Sequence, residues 1–164
     1  MEKQVKFSNT FNIAAFVLIG VGLIAFVVAF LTAPEKAWSN LLINNYIFLS
    51  LAIGGTFFLA IQYITQSGWS AAFKRIPEAM GNYIPFAAVF MILILFGLHS
   101  LYHWTHEEAV AHDPILQHKE PYLNIPFFIV RLVIYFAAWI LLTRLIRRAS
   151  LREDKEGGMK YFIK

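Results

Sequence analysis

Residues 92–131 decide the fold class: ILILFGLHSLYHWTHEEAVAHDPILQHKEPYLNIPFFIVR. The stretch opens as an apolar run and turns polar through His99, His103, His106, Glu107 and Glu108. It continues past His112 and His118, and re-enters an apolar run at Ile125-Pro126. All five histidines of the chain lie here, with the only arginine embedded in an apolar run, Arg131. Two long apolar runs around a short polar loop describe two membrane-crossing segments joined outside the bilayer.

Working outward, four runs reach the roughly 20 residues that a helix needs to cross the hydrocarbon core. They cover 11–32, 46–65, 84–104 and 125–145. None alternates with period two, which argues against a transmembrane barrel, and backbone groups in lipid must be satisfied within the segment, which leaves helices. Composition agrees: 59% of residues are hydrophobic and 15% charged, against about half and a quarter in soluble domains. The expected fold is an all-α, polytopic transmembrane helix bundle: four membrane-spanning helices plus a short interfacial amphipathic helix, in one membrane domain over 1–164. The interfacial helix is expected over 69–80, where Trp69, Phe73, Ile76 and Met80 share a face away from Lys74 and Arg75, bent at Pro77 and broken at Gly81-Asn82.

The first run follows Lys3 and Lys6, yet its apolar core exceeds the roughly 7–15 residues of a secretion signal, so it reads as a retained helix. Gly20 and Gly22 give it a thin face, Ala33-Pro34-Glu35-Lys36 stops it, and Asn44-Asn45 precede the second helix. Gly54-Gly55-Thr56 at mid-depth reads as a close-packing site, as a place that admits a cofactor, or as the mark of a broken helix. The chain has no cysteine, which excludes disulfides, thiolate-bound zinc, cysteine-held iron–sulfur clusters and a C-x-x-C-H haem attachment within it. Nucleic acid is not an expected partner, because the basic residues cluster at the ends of apolar runs.

Those ends set the orientation. Lys3, Lys6, Lys74, Arg75, Arg144, Arg147, Arg148, Arg152, Lys155, Lys160 and Lys164 fall on one side of an even number of spans, against Lys36 and Lys119 on the other. The positive-inside rule then puts both chain ends in the cytoplasm and the loop 105–124 on the outer side, which is the periplasm if the host is a diderm bacterium. Past Asp154 the chain runs through Gly157-Gly158 to Lys160-Tyr161-Phe162-Ile163-Lys164.

The chemistry is expected at the outer ends of the third and fourth helices. His99, His103 and His106 are spaced i, i+4, i+7, one face of a continuous helix. Arg131 lies about six residues, roughly 9 Å, into the fourth helix, at nearly the depth of His99. An arginine inside a membrane is a functional-site hypothesis by default. His99, His103, Arg131 and Tyr135 are therefore the candidates for a polar or proton-carrying network. His106, Glu107, Glu108, His112 and His118 are the candidates for contact with a partner. The plainer alternative is that Arg131 snorkels to water or headgroups and the histidines only crowd the interface. A bis-histidine haem needs histidines on two facing helices, and only the third run has them. A zincin H-E-x-x-H fails at Val110, and a histidine loop alone specifies a metal weakly, so no metal is expected. Below His99 the same face is Phe96, Ile92 and Leu95, so no proton path crosses this chain alone.

Several strings carry a resemblance: FSNTFNIAAFVLIGVGLIAF, GWSAAFKRIPEAMGNYIPF, HSLYHWTHEE, HKEPYLNIPFFIVRLVIYFAAW and RRASLREDKEGGMKYF. Together they resemble the second large membrane subunit of bacterial alternative complex III, a quinol:cytochrome c oxidoreductase, in its Bacteroidetes form. That subunit is similar to polysulfide-reductase-type (NrfD-like) membrane subunits. The resemblance implies a parent of about ten helices in two four-helix bundles, of which this chain would be the N-terminal part. It implies a subunit without a cofactor of its own, supporting assembly and proton movement. Haems and iron–sulfur clusters would sit in partner subunits, and quinol oxidation would belong to a sister subunit. Partners would be other membrane subunits, periplasmic cytochrome c-type subunits and lipids. No catalytic residue of that family maps onto these positions. Half of a membrane transporter and a purely structural anchor remain the rival readings.

The cysteine-free background makes the orientation measurable. A single cysteine replacing His112 should react with a membrane-impermeant maleimide on intact cells, and one replacing Arg148 should react only after lysis. The reverse pattern would invert the topology.

Overall fold

The computed structural model describes residues 8–156, with only the backbone of residues 155 and 156. Expectations that rest on Lys3, Lys6, Gly157-Gly158 and Lys160-Tyr161-Phe162-Ile163-Lys164, and on the Lys155 side chain, lie outside the described residues. The described chain is all helical, with no strand. Helices α1 (Asn9–Thr32), α2 (Pro34–Ile64), the pair α3 (Arg75–Gly81) and α4 (Ile84–Leu95), and α8 (Ile125–Glu156) include four stretches long and apolar enough to cross a membrane. Short helices α5 (Leu98–Leu101), α6 (Glu107–His112) and α7 (Pro114–Lys119) lie between α4 and α8. The protein is thus a multi-pass integral membrane protein. Among the described residues, those up to Asn40 form one compact unit and those from Leu41 onward a second.

In the first unit, Ser8 caps α1 by accepting from the Phe11 amide at 3.2 Å. No residue of α1 is buried, and a Cβ added at Gly20 or Gly22 would meet nothing within 4 Å. Phe26, Phe30 and Trp38 make successive edge-to-face contacts at 5.0 and 4.6 Å between ring centres. The expected loop at 33–45 is absent. Pro34 stands at the first helical position, where its missing amide hydrogen costs nothing and its φ is already helical. Glu35 complements the positive end of the helix dipole. Thus α2 runs 31 residues without a break.

In the second unit Leu49 and Ala52 of α2, Ile84 and Ala87 of α4, and Phe136 of α8 form the buried core. Its alanines let backbones approach closely, the usual basis of helix association in lipid. Asn45, expected as part of a loop, is instead buried within α2. It donates to the Ala87 carbonyl at 3.2 Å and accepts from the Tyr83 hydroxyl at 3.2 Å. Gly54-Gly55-Thr56 does not break α2. Gly54 faces open space, whereas a Cβ on Gly55 would lie 3.1 Å from the Pro77 carbonyl oxygen and 3.2 Å from Met80 Cβ. Thr56 reaches Thr143 of α8 at 3.2 Å. The packing alternative for these glycines therefore applies to Gly55, against α3.

At the end of α2, Gln66 adopts φ 52°. Ser67 donates to the Gln62 carbonyl and Gln66 to that of Tyr63, a left-handed terminus usually given to glycine. The helix expected over 69–80 is two pieces: a 3-10 turn at Trp69–Ala72, then α3. Pro77 sits in the first turn of α3, where no intrahelical donor is required. Through Asn82-Tyr83 α3 continues into α4, and the third membrane-length stretch is Arg75–Leu95. The expected third helix ends early. Phe96 and Gly97 close α4 with amides donating to Leu93 and Ile94, and Tyr102 is extended.

Gly81 is tightly packed: a Cβ there would lie 2.7 Å from Thr143 Cγ2 and 3.0 Å from Thr56 Oγ1. Gly81→Ala should destabilise the protein by about 1–3 kcal/mol, the usual cost of overpacking. Gly54→Ala should be neutral or slightly stabilising, since alanine is the better helix former. Thermal unfolding in one detergent would separate them, and equal midpoints would refute this packing.

Candidate functional site

The histidine end is built on the break after α4. Because the backbone leaves the helix at Tyr102, His99, His103 and His106 do not form a stripe on one continuous helix. A 3-10 turn at His103–Thr105 brings them together another way. The His99 and His106 rings lie 3.8 Å apart, and His103 is 6.1 Å from His106. Tyr102, Trp104 and Phe128 form a three-ring cluster, 5.6–6.1 Å between centres, that ties this segment to α8. Burial raises the Tyr102 phenol above its ordinary value, so it stays a neutral donor near neutral pH.

The two remaining histidines are not part of this group. His112 Nδ1 lies 2.8 Å from the Glu108 carbonyl oxygen, and His118 is exposed in the last turn of α7. Glu107 and Glu108 occupy the first turn of α6. Asp113 caps α7 by accepting from Ile115 and Leu116. A concavity of about 510 Å³ opens between α6, α7 and the start of α8, walled by Trp104, Glu107, Leu116, Glu120 and Asn124 among others. Among the described residues, no three histidine, aspartate or glutamate side chains are grouped to hold a metal ion.

Arg131 is placed by the chain just before α8. Asn124 caps that helix by accepting from the Phe127 amide at 2.9 Å, while its own amide group donates to Glu120 and Pro121 carbonyls. The resulting turn folds Tyr122 back over Arg131. The guanidinium lies 3.7 Å from the Tyr122 ring centre and 4.8 Å from that of Phe127, and it donates to the Tyr122 carbonyl at 3.2 Å. Stacking of this kind stabilises a cation in place of water. Among the described residues, no hydrogen bond or ion pair joins Arg131 to His99, Glu107 or Glu108. Arg131 is held by an aromatic clamp. Tyr135 stacks on Trp139 at 6.1 Å, one turn further along α8.

A second polar cluster lies at the other end of α8, among residues that no motif singled out. Lys74 pairs with Glu153 at 3.0 Å and Asp154 at 3.2 Å, and Arg75 pairs with Glu78, Asp154 and, at 3.4 Å, Ser150 Oγ. Glu78 is only 5% exposed, and its Oε1 has no hydrogen-bond partner. The space beside it, walled by Thr56, Leu59, Thr143, Ile146 and Arg147, has no room for a water molecule. The signal was present: an acid three residues after Arg75 is one turn away, and Glu153-Asp154 supply the matching anions.

No protein-family model and no curated protein matches the chain.

Arg75 is what compensates the buried Glu78 carboxylate. Arg75→Ala should lower stability by about 1–3 kcal/mol, the cost of an unsatisfied buried group. The double replacement Arg75→Met with Glu78→Leu should recover most of that loss, because an apolar pair can substitute for a buried ionic one. Melting temperatures of the three proteins decide it. No recovery in the double variant would show that the pair is not the cause.

Proposed function

We propose that this chain is a membrane subunit, without a catalytic centre of its own, of a respiratory quinol:cytochrome c oxidoreductase of the alternative complex III type. Two things support the reading. One is the resemblance of five separate strings to the second large membrane subunit of that complex. The other is the apolar surface left uncovered: α1 buries nothing, and large apolar side chains such as Phe16, Leu31, Phe57 and Phe86 stand exposed. Further membrane helices can cover part of that surface, as lipid covers the rest, because lipid and a neighbouring helix are equally apolar surroundings. The resemblance of those strings is the observation that carries the reading.

Its placement follows from the distribution of lysine and arginine. Both ends face the cytoplasm of a bacterial inner membrane, and the 105–124 loop faces periplasmic cytochrome c-type subunits. The concavity there is acidic at its rim, with Glu107 and Glu120, which suits a basic partner surface. The paired rings of His99 and His106 would take part in proton movement at that face. Haems and iron–sulfur clusters belong to the partners in this reading. The transporter alternative loses support, because α2 is continuous through Gly54-Gly55 and offers no unwound midplane site.

Affinity purification through this chain from native membranes should bring down c-type haem, an iron–sulfur subunit and quinol:cytochrome c reductase activity. Recovery of the intact protein without haem would overturn the assignment. In the purified complex, His99→Ala should lower the proton-to-electron ratio with turnover largely kept. An unchanged ratio would remove the proton role while leaving the subunit assignment standing.

A further inference from the structure

Below the aromatic clamp lies a groove of about 380 Å³ that none of the foregoing uses. Its wall combines Leu42 and Leu49 of α2, Met91 of α4, and Arg131, Phe136 and Trp139 of α8. The volume is within the usual range of small-molecule sites. Nearly all of the lining is apolar, and Arg131 is its only charged group.

Arg131 is the unusual member. Its guanidinium has five N–H donors. One goes to the Tyr122 carbonyl, and Nε is shut away from solvent without a partner. Among the described residues no carboxylate pairs with it. By its position in α8 it stands about 9 Å inside the helix start, where an uncompensated cation is costly. The aromatic rings of Tyr122 and Phe127 cover one side of the charge but do not neutralise it. What completes such a site is an anion that brings its own apolar tail.

We propose that this groove holds one anionic phospholipid, with its phosphodiester on the Nη edge of Arg131 and an acyl chain against Leu42, Leu49, Met91 and Phe136. Charge selects the occupant. A neutral ring compound would fill the apolar wall equally well yet leave the cation uncompensated, whereas basic pockets between membrane helices attract anionic headgroups. The site is independent of the respiratory assignment, because it needs only this chain in a bilayer.

Trp139 in the wall supplies the readout. In the full chain carrying Trp38→Phe, Trp69→Phe and Trp104→Phe, fluorescence reports Trp139 alone. Phosphatidylglycerol with dibrominated acyl chains should quench it with about fivefold higher affinity than dibrominated phosphatidylcholine, the factor expected from one cation beside an anionic headgroup. Arg131→Gln should bring the two lipids level, and Arg131→Lys, which keeps the charge, should retain a preference. Native mass spectrometry of the unsubstituted chain, counting retained phosphatidylglycerol against phosphatidylcholine, gives the same comparison with every tryptophan in place. Equal affinities in the parent, or a preference that survives Arg131→Gln, would overturn the proposal. So would displacement of the brominated phosphatidylglycerol by a short-chain benzoquinone at near-stoichiometric amounts.

Discussion

An apolar side chain gains nothing by leaving lipid for a neighbouring helix, so membrane helices must be held by close approach and by a few polar links. The second unit is built on that restriction. Ala52 and Ala87 thin the contact between α2 and α4, Gly55 admits α3, and Gly81 admits Thr143 of α8. The polar links sit at the same junctions: Asn45 to Ala87 and Tyr83, and Thr56 to Thr143. Leu49, Ile84 and Phe136 fill the space between these contacts, while most of the other bulky apolar residues face outward. Shape is set by the smallest residues and the few hydrogen bonds, and the many phenylalanines mainly supply solubility in the bilayer.

The spans were legible because crossing the membrane demands length and apolarity, and both can be read residue by residue. Their ends were less legible. Asn44-Asn45 resembles a loop in composition, but burial against Ala87 and Tyr83 gives Asn45 the partners that let it stay helical. The third run stays apolar past Leu95, so nothing in its hydropathy announces that the helix closes at Phe96-Gly97. Proline at 77 and at 34 is accommodated for one reason: in a first turn it suits the helix.

The candidate sites divide the same way. Arg131 stood out because a cation inside an apolar run is rare, yet its partners, Tyr122 and Phe127, come from a turn that spacing along one helix does not describe. The three histidines gather through a 3-10 turn where a continuous helix was expected, so the residues were identified for a geometry they do not have. Lys74 and Arg75 carried meaning in the sequence as markers of sidedness and as the polar face of an interfacial helix, and Glu153 and Asp154 carried none. That they pair with one another depends on α3 meeting the far end of α8, a tertiary fact with no local pattern. Glu78 did not stand out because a single acid near the edge of an apolar run resembles ordinary interfacial charge.

Helix α8 is unbroken for 32 residues, and Arg131 and Asp154 sit on it roughly 35 Å apart at helical rise. It behaves mechanically as a strut shared by two chemically unrelated assemblies. Any tilt or axial slide that reseats the guanidinium under its aromatic lid must also load the carboxylates clasped by Lys74 and Arg75. A rigid-body movement of α8 would therefore displace both assemblies together.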